Sequence, residues 1–120
     1  MVRINRVHTG TGDGGETSLL DGRRVGKEDD RVDLFGTIDE LNSQIGVVRM
    51  EIGRFVPDAD SEDEIDLIGS GLGLVQQELF DIGGECACPP ESLPESVALI
   101  GAGEGERLVA EMDNWLERLE

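Results

Sequence analysis

Two segments of the chain place apolar residues at alternating spacings of three and four. In the first segment they are Ile38, Leu41, Ile45, Val48, Ile52 and Phe55. In the second they are Ile65, Ile68, Leu72, Val75, Leu79 and Ile82, and a shorter third run has Leu108, Met112, Trp115 and Leu119. This spacing lays one apolar stripe along an α-helix, and each stripe must bury against another element. The sequence therefore predicts an all-α helical bundle with about three helices.

The expected helix boundaries come from capping residues and prolines. Thr37, followed by Glu40, forms a capping box that predicts the start of the first helix, and Pro57 predicts its end. A second box, at Ser61 and Glu64, predicts the start of the second helix. A loop before the third helix is predicted from its prolines and glycines, which are Pro89, Pro90, Pro94, Gly101, Gly103 and Gly105.

Three glycines lie inside the second stripe, at Gly69, Gly71 and Gly73. Each one costs a helix about 1 kcal/mol relative to alanine. Either a close crossing with another helix compensates for this cost, or the helix is locally loose. The sequence leaves both explanations open.

The segment before the helices is rich in glycine and hydroxyl side chains. Residues 9–17 read TGTGDGGET, which predicts a loop, and an Asp21-Gly22 turn signal predicts a small hairpin after it. The glycine spacing matches the dinucleotide fingerprint, but no strand and helix flank it as a Rossmann unit requires. Successive glycine amides can still converge on an anion. We interpret the segment as a candidate phosphate-binding loop, in which Asp13 holds the loop or a Mg²⁺ ion.

Lys27 is the single lysine of the chain, and it lies in a basic stretch shortly after this loop. A solvated basic turn is one interpretation. The other is a phosphate ligand, because a compact ammonium suits a triphosphate. We favour the ligand, since almost every other basic residue of the chain is arginine.

The charge of the chain is strongly negative. It has 27 acidic and 10 basic residues, a net charge of −17, and residues 57–120 alone carry −15. Such a charge disfavours nucleic acid and anionic membrane surfaces as partners. We expect a cytoplasmic protein, because no apolar run is long enough to span a membrane and no signal peptide is visible. The dense carboxylate surface is typical of halophilic proteins, whose self-repulsion is screened by salt.

The two cysteines, Cys86 and Cys88, are separated by one residue and precede two prolines. A metal site is one interpretation, but the chain has one histidine and no second cysteine pair at zinc-ligand spacing. We favour two free, semi-buried thiols where a helix ends, and we expect no metal ligands in the chain.

Three blocks of sequence, in order, carry a family resemblance: TGTGDGGET at residues 9–17, KEDDRV at 27–32 and FGTIDELNS at 35–43. Together they resemble the N-terminal half of the PduO-like ATP:cob(I)alamin adenosyltransferases. The resemblance is strong over residues 4–56 and weaker through 76–83 to the third helix. It implies a homotrimer of five-helix bundles that transfers the 5′-deoxyadenosyl group of ATP to the cobalt of a reduced cob(I)alamin or related corrinoid, with Mg²⁺, and releases triphosphate.

The resemblance also implies roles for individual residues. The nucleotide ligands would be Thr9, Gly10, Thr11, Gly12, Thr17 and Lys27. Asp39 would form an ion pair with an arginine across a subunit boundary. Gly10 departs from the family pattern, which usually has a basic residue there. The expected arginine cluster lies beyond residue 120, so no catalytic residue is identified in this chain.

These implications predict one domain over residues 1–120 that is incomplete at its C-terminal end. Residues 1–36 would form the nucleotide-binding segment, and residues 37–120 the first three helices. The alternative function is a non-catalytic remnant that binds nucleotide or assembles through its helices. A third possibility is an acidic helical adaptor without a ligand.

Overall fold

The computed structural model describes residues 6–55 and 61–119. Its elements are, in chain order, strand β1 (Glu16–Ser18), strand β2 (Arg24–Gly26), helix α1 (Asp30–Arg54), helix α2 (Glu62–Cys86), a 3-10 turn at Pro90–Ser92 and helix α3 (Ala102–Leu119). The strands form an antiparallel hairpin in which Thr17 pairs with Val25. The predicted class is confirmed: three helices follow a glycine-rich loop and a hairpin.

Helix α1 starts earlier than the sequence analysis predicted. Asp29 is its N-cap, and the Asp29 Oδ1 atom accepts a hydrogen bond from the Arg31 amide at 2.9 Å. Because this carboxylate already caps the free amides, the predicted start at Thr37 is wrong. The helix ends at Arg54, and the amide of Phe55 donates to the Ile52 carbonyl. Pro57, the predicted end, lies outside the described residues.

Helix α2 begins at Glu62, directly after Ser61, where the second capping box placed it. Its whole apolar stripe, from Ile65 to Ile82, is half-buried. Helix α1 differs, because only alternate members of its stripe are half-buried. These are Ile38, Ile45 and Ile52. The members between them are exposed to about half, with Leu41 at 50%, Val48 at 49% and Phe55 at 57%. One flank of the α1 stripe thus contacts α2, and the other faces outward.

A polar bridge joins α1 and α2 at mid-length. The Asn42 side-chain amide donates to the Gln76 carbonyl at 3.2 Å, and the Gln76 side-chain amide donates to the Asn42 carbonyl at 3.0 Å. The Arg49 guanidinium donates to Gln76 Oε1 at 2.8 Å. The paired bonds fix the register of the two helices, because they satisfy polar groups that the contact would otherwise leave unpaired.

The three glycines of α2 have different surroundings. A Cβ atom on Gly73 would stand 3.1 Å from the Arg49 guanidinium, whereas one on Gly69 or Gly71 would meet no other atom within 4 Å. A close approach of a neighbouring side chain therefore explains Gly73 alone. No close contact explains Gly69 and Gly71, although both lie within the continuous helix α2.

Helix α3 is attached to α2 through charged groups. The Arg107 guanidinium contacts both carboxylate oxygens of Glu78 at 2.6 Å and also binds Glu111 on its own helix. These bonds, to Glu111 first and to Glu78 second, raise the pKa of Arg107. Of the predicted third stripe, Leu108 and Trp115 are half-buried, and the Leu119 side chain lies outside the description.

The start of α3 differs from the prediction. Gly103 and Gly105 were assigned to the preceding loop, and both lie inside the helix. The Glu104 carboxylate accepts a hydrogen bond from the Gly101 amide at 2.9 Å, which caps the first turn and offsets the poor helix propensity of glycine. That bond is the main cause that lowers the pKa of Glu104.

The best-packed region lies where the hairpin meets the end of α2. Leu19 is 6% exposed and Cys88 is fully buried. The Leu20 amide donates to the Ala87 carbonyl at 2.9 Å, and the Cys88 thiol donates to the Ser92 carbonyl at 3.2 Å. The two cysteines form no disulfide and lie at the end of α2, as predicted, but only Cys86 is half-buried, since Cys88 is fully buried.

The protein exposes much more surface than its mass requires. Its accessible surface is 9093 Å² for a mass of 13.0 kDa, whereas a compact monomer of that mass exposes about 6,300 Å². Its radius of gyration is 18.1 Å against about 14 Å for a compact domain of this length. In the described part of the chain, fifteen large apolar side chains are exposed, including Leu41, Val48 and Phe55. Within the described residues, no helix is both long and apolar enough to cross a membrane.

Candidate functional site: a glycine loop with an adjacent lysine

The glycine-rich loop consists of two consecutive turns. The Asp13 amide donates to the Gly10 carbonyl at 3.2 Å, and the Gly15 amide donates to the Gly12 carbonyl at 3.3 Å. Each turn has one interior amide, that of Gly12 in the first and that of Gly14 in the second, that makes no hydrogen bond within residues 6–55 and 61–119. The loop therefore holds two backbone donors for an external acceptor, as anion-binding loops do.

Hydroxyl groups and a left-handed residue shape the entry of the loop. The hydroxyl oxygens of Thr9 and Thr11 lie 3.0 Å apart and share a hydrogen bond. Gly10, between them, has a φ of 69°, in the left-handed region that favours glycine. A basic residue at this position would be strained in the conformation that the loop has here. The glycine thus fits the local backbone, although it removes a positive charge.

Lys27 lies against the loop, although it is distant in sequence. Its Cε and Nζ atoms lie 3.4 Å from the position of a Cβ on Gly12, and its amide donates to the Gly15 carbonyl at 2.9 Å. Within the described part of the chain, Lys27 makes no ion pair, whereas Arg23 and Arg24 both contact carboxylates. The site therefore combines an unpaired ammonium with two unpaired backbone amides.

Thr17 and Asp39, the remaining predicted site residues, lie on the hairpin and on α1. Thr17 is half-buried in β1, opposite Val25. Asp39 is exposed on α1 and makes no ion pair with any described residue. It borders a cleft between α1 and α2 that no residue of the glycine loop lines. The structure thus brings Gly12 and Lys27 together and leaves Asp39 on a separate surface.

The cleft beside Asp39 is mainly apolar. It has a volume of about 390 Å³, and Phe35, Ile38 and Phe80 are among its lining residues. Asn42 contributes a polar atom, because its Oδ1 is buried and makes no hydrogen bond to any described residue. A ligand or side chain in this cleft would therefore meet mainly apolar walls.

Carboxylates do not form a metal cage in this region. Among the described residues, no group of three or more His, Cys, Asp or Glu side chains could hold a metal ion. The loop does carry the Asp13 carboxylate, whose Oδ2 lies 3.4 Å from the position of a Cβ on Gly10. One carboxylate fits a Mg²⁺ ion that takes its other ligands from substrate phosphates and water.

Comparison with known proteins decides the family. The sequence profile of the family described as "Cobalamin adenosyltransferase" matches residues 7–120. The chain belongs to this family. A relative from Cupriavidus metallidurans, named cobalamin adenosyltransferase, is 36% identical over 114 residues, which are 95% of this chain and 51% of the relative. The corrinoid adenosyltransferase PduO of Salmonella typhimurium is 33% identical, over 95% of this chain and 31% of its own length.

Solved structures show the same fold as this cobalamin adenosyltransferase-family chain. A variant PduO-type ATP:corrinoid adenosyltransferase from Lactobacillus reuteri, complexed with cobalamin and ATP, superposes with a TM-score of 0.75 and 26% identity. The match covers 93% of this chain and 57% of that one. The chain thus spans about half the length, or less, of the relatives it matches.

Two residues of this family member have contacts that the sequence analysis did not assign. The Arg24 guanidinium donates to the Thr11 carbonyl at 2.8 Å, and that of Arg31 donates to the Cys86 and Cys88 carbonyls at 2.9 and 3.1 Å. Both lie in residues 23–31, the basic stretch that contains Lys27. Composition could not show that backbone carbonyls, rather than phosphates, accept these bonds.

Proposed function

We propose that this chain supplies the nucleotide-binding segment of an ATP:corrinoid adenosyltransferase. The enzyme transfers the 5′-deoxyadenosyl group of ATP to the cobalt of a reduced cob(I)alamin or related corrinoid and releases triphosphate. The observation that supports this best is the unpaired Lys27 ammonium beside Gly12, in a chain with 27 acidic residues. Relatives named corrinoid adenosyltransferase, and a structural neighbour complexed with cobalamin and ATP, support the same reaction.

In this proposal the loop binds the triphosphate of ATP. The ligands are the residues of the site, namely Thr9, Gly10, Thr11, Gly12, Thr17 and Lys27. Backbone amides and hydroxyls donate hydrogen bonds to phosphate oxygens, and the ammonium neutralises part of their charge. Thr17, in β1, adds its hydroxyl at the edge of the hairpin.

The chemistry explains why a loop of donors is sufficient on the protein side. The reduced cobalt is itself the nucleophile: its electron pair forms the cobalt–carbon bond to C5′ as the C5′–oxygen bond breaks. The bonding pair leaves with triphosphate, so no protein base or nucleophile is required. The protein contributes orientation of the two substrates and stabilisation of charge on the leaving group. When bound, Mg²⁺ would share the triphosphate charge, with Asp13 as its protein ligand.

We further propose that residues 1–120 form one domain that further helices complete. The outward flank of α1 carries Leu41, Val48 and Phe55, and the surface exceeds that of a compact monomer by roughly 2,800 Å². That area is comparable with a stable protein interface. In the complete protein, a homotrimer, Asp39 would pair with an arginine across the subunit boundary.

The remaining parts of the proposal concern the protein's environment. We infer a cytoplasmic location, because two free thiols are typical of a reducing compartment. A halophilic source would explain the charge of −17, since the Debye length is only about 3 Å in 1 M salt.

ATP titration by calorimetry tests the site assignment. Lys27→Ala and Thr9→Ala each remove a contact to a charged oxygen, and such contacts are worth about 1.5–3 kcal/mol, or about 10- to 150-fold in Kd. Arg54→Ala is the matched control, because Arg54 pairs with Glu51 at 2.8 Å at the far end of α1. Equal dissociation constants for the wild type and the Lys27 and Thr9 variants would contradict the assignment.

An anaerobic transfer assay tests the reaction. Cobalamin is reduced to the cob(I) state, ATP and Mg²⁺ are added, and adenosylcobalamin is followed by absorbance. The 120 residues alone are expected to react slowly or not at all, because loss of one preorganised donor already costs about 10² to 10³ in rate. Fusion to the C-terminal half of the Cupriavidus relative is expected to restore turnover. ATP binding without turnover in the fusion protein would favour the non-catalytic alternative.

A further inference from the structure

Arg24 joins the glycine loop to the hairpin through a forked contact. Its Nη2 donates to the Thr11 carbonyl at 2.8 Å, and its Nη1 donates to the Ser18 hydroxyl at 3.2 Å. Its Nη2 also lies 3.7 Å from a Glu16 carboxylate oxygen. The two arms of one guanidinium therefore hold the loop and β1 at the same time. The neighbouring carboxylate offsets its charge.

The Thr11 contact has a consequence for the next amide. A trans peptide group is planar, and its C=O and N–H bonds point in opposite directions. The Thr11 carbonyl and the Gly12 amide belong to the same peptide group. When Arg24 holds the carbonyl on the hairpin side, the Gly12 N–H must point to the other side. That amide makes no hydrogen bond among the described residues.

We propose that Arg24 is a positioning residue that aims the Gly12 amide at the phosphates of the bound nucleotide. This inference rests on the proposed function, since the phosphate is the acceptor. Arg24 and Lys27 have different roles in this proposal because their contacts differ. Lys27 is an unpaired charge beside the loop, whereas both arms of the Arg24 fork are occupied within the protein. A lysine at position 24 keeps the charge but lacks the planar fork that holds two acceptors.

Three variants distinguish positioning from direct charge contact. Arg24→Ala and Arg24→Lys are both expected to weaken ATP binding by about 5- to 20-fold. Without the Arg24 contact the Gly12 amide is no longer held in the orientation that a strong hydrogen bond to a charged phosphate oxygen requires. Arg23→Ala is the control, since the Arg23 guanidinium contacts only the carboxylates of Asp21 and Glu91 among the described residues. It removes the same charge from the next position and is expected to keep wild-type affinity. Wild-type affinity in Arg24→Lys would overturn the proposal.

The salt dependence of ATP binding provides a second readout. A cation that touches phosphate contributes to the slope of affinity against salt, and its removal flattens that slope. Arg24→Lys and Arg24→Ala are expected to leave the slope unchanged, whereas Lys27→Ala flattens it. A flattened slope in Arg24→Ala would show that Arg24 contacts the nucleotide directly.

The chemical shift of the Gly12 amide, measured without nucleotide, tests the Arg24 contact itself. Nuclear magnetic resonance of the unliganded protein is expected to show a shifted Gly12 amide signal in both Arg24 variants and the wild-type position in Arg23→Ala. An unchanged Gly12 signal would overturn the proposal even where affinity falls. If wild-type protein fails to bind ATP, the proposed function fails instead, whereas the Gly12 signal still reports on the Arg24 contact.

Discussion

Replacing Gly71 by alanine is expected to stabilise the protein. A Cβ atom there would meet no other atom within 4 Å, so the new methyl group creates no clash. Alanine is favoured over glycine in a helix by about 1 kcal/mol. The unfolding entropy is about 2.1 cal/mol/K per residue, and the chain has 120 residues. Dividing the free-energy gain by the total unfolding entropy gives a rise in Tm of about 4 °C.

Gly73→Ala is the matched comparison on the same helix. Its Cβ would stand 3.1 Å from the Arg49 guanidinium, which must move and give up its 2.8 Å bond to Gln76. Loss of that bond costs about 1 kcal/mol and cancels the gain in helix propensity, so the Tm is expected to stay near that of the wild type. In an Arg49→Ala background the obstacle is gone. There Gly73→Ala is expected to stabilise as much as Gly71→Ala.

The Tm of each glycine variant is measured by thermal unfolding in molar salt, followed by circular dichroism. The two glycine variants are compared in the wild-type and Arg49→Ala backgrounds, which forms a double-mutant cycle. A fall in Tm for Gly71→Ala would refute the reasoning, because it would show that an unseen neighbour packs against this glycine. Equal effects of Gly73→Ala in both backgrounds would show that Arg49 is not the obstacle.

Three further outcomes are expected. Arg107→Met should loosen α3 more than Glu111→Gln does, because only the former breaks the bonds to Glu78 on α2; amide exchange along α3 measures this. Glu104 should stabilise the fold at a pH above its unfolded pKa, because the Gly101 amide stabilises its carboxylate, and this stabilisation should be lost as the pH falls through its lowered folded pKa. The chemical shift of the Gly101 amide against pH measures this, and a folded-state midpoint at or above the ordinary glutamate value would contradict it. Helicity should fall as salt is lowered from about 1 M to 0.01 M, where the Debye length grows from about 3 to 30 Å; circular dichroism that is independent of salt would contradict a role for screening.

The sequence predicted the helices better than their first turns. The stripe of α2 and its start directly after Ser61 agree with the structure, although the Ser61 side chain makes no capping hydrogen bond to the described amides of α2. In α1 the cap is Asp29, and the sequence predicted a later start because Gly36 precedes the capping box at Thr37. In α3 the Glu104 carboxylate caps a turn that glycines made look like a loop. In both helices a single carboxylate-to-amide bond outweighs the local propensity.

Periodicity also could not say which flank of a stripe meets a partner. The α1 stripe reads as one band, yet α2 covers only the flank with Ile38, Ile45 and Ile52.

The sequence also could not distinguish the roles of the basic residues at the hairpin. Arg24 and Lys27 are neighbours in a basic stretch, and their separate contacts, with a carbonyl and beside a bare glycine, depend on the hairpin register.

The position of the candidate site follows from where the chain is well packed. Leu19, Cys88 and Pro89 are buried, and all three lie where the hairpin meets the end of α2. Arg31 ties the start of α1 to the same place through the Cys86 and Cys88 carbonyls. The hairpin that carries the glycine loop is therefore anchored at the best-packed region of the described structure. A loop that must keep amide donors aimed needs such an anchor, because donors contribute to catalysis only when they do not have to reorganise.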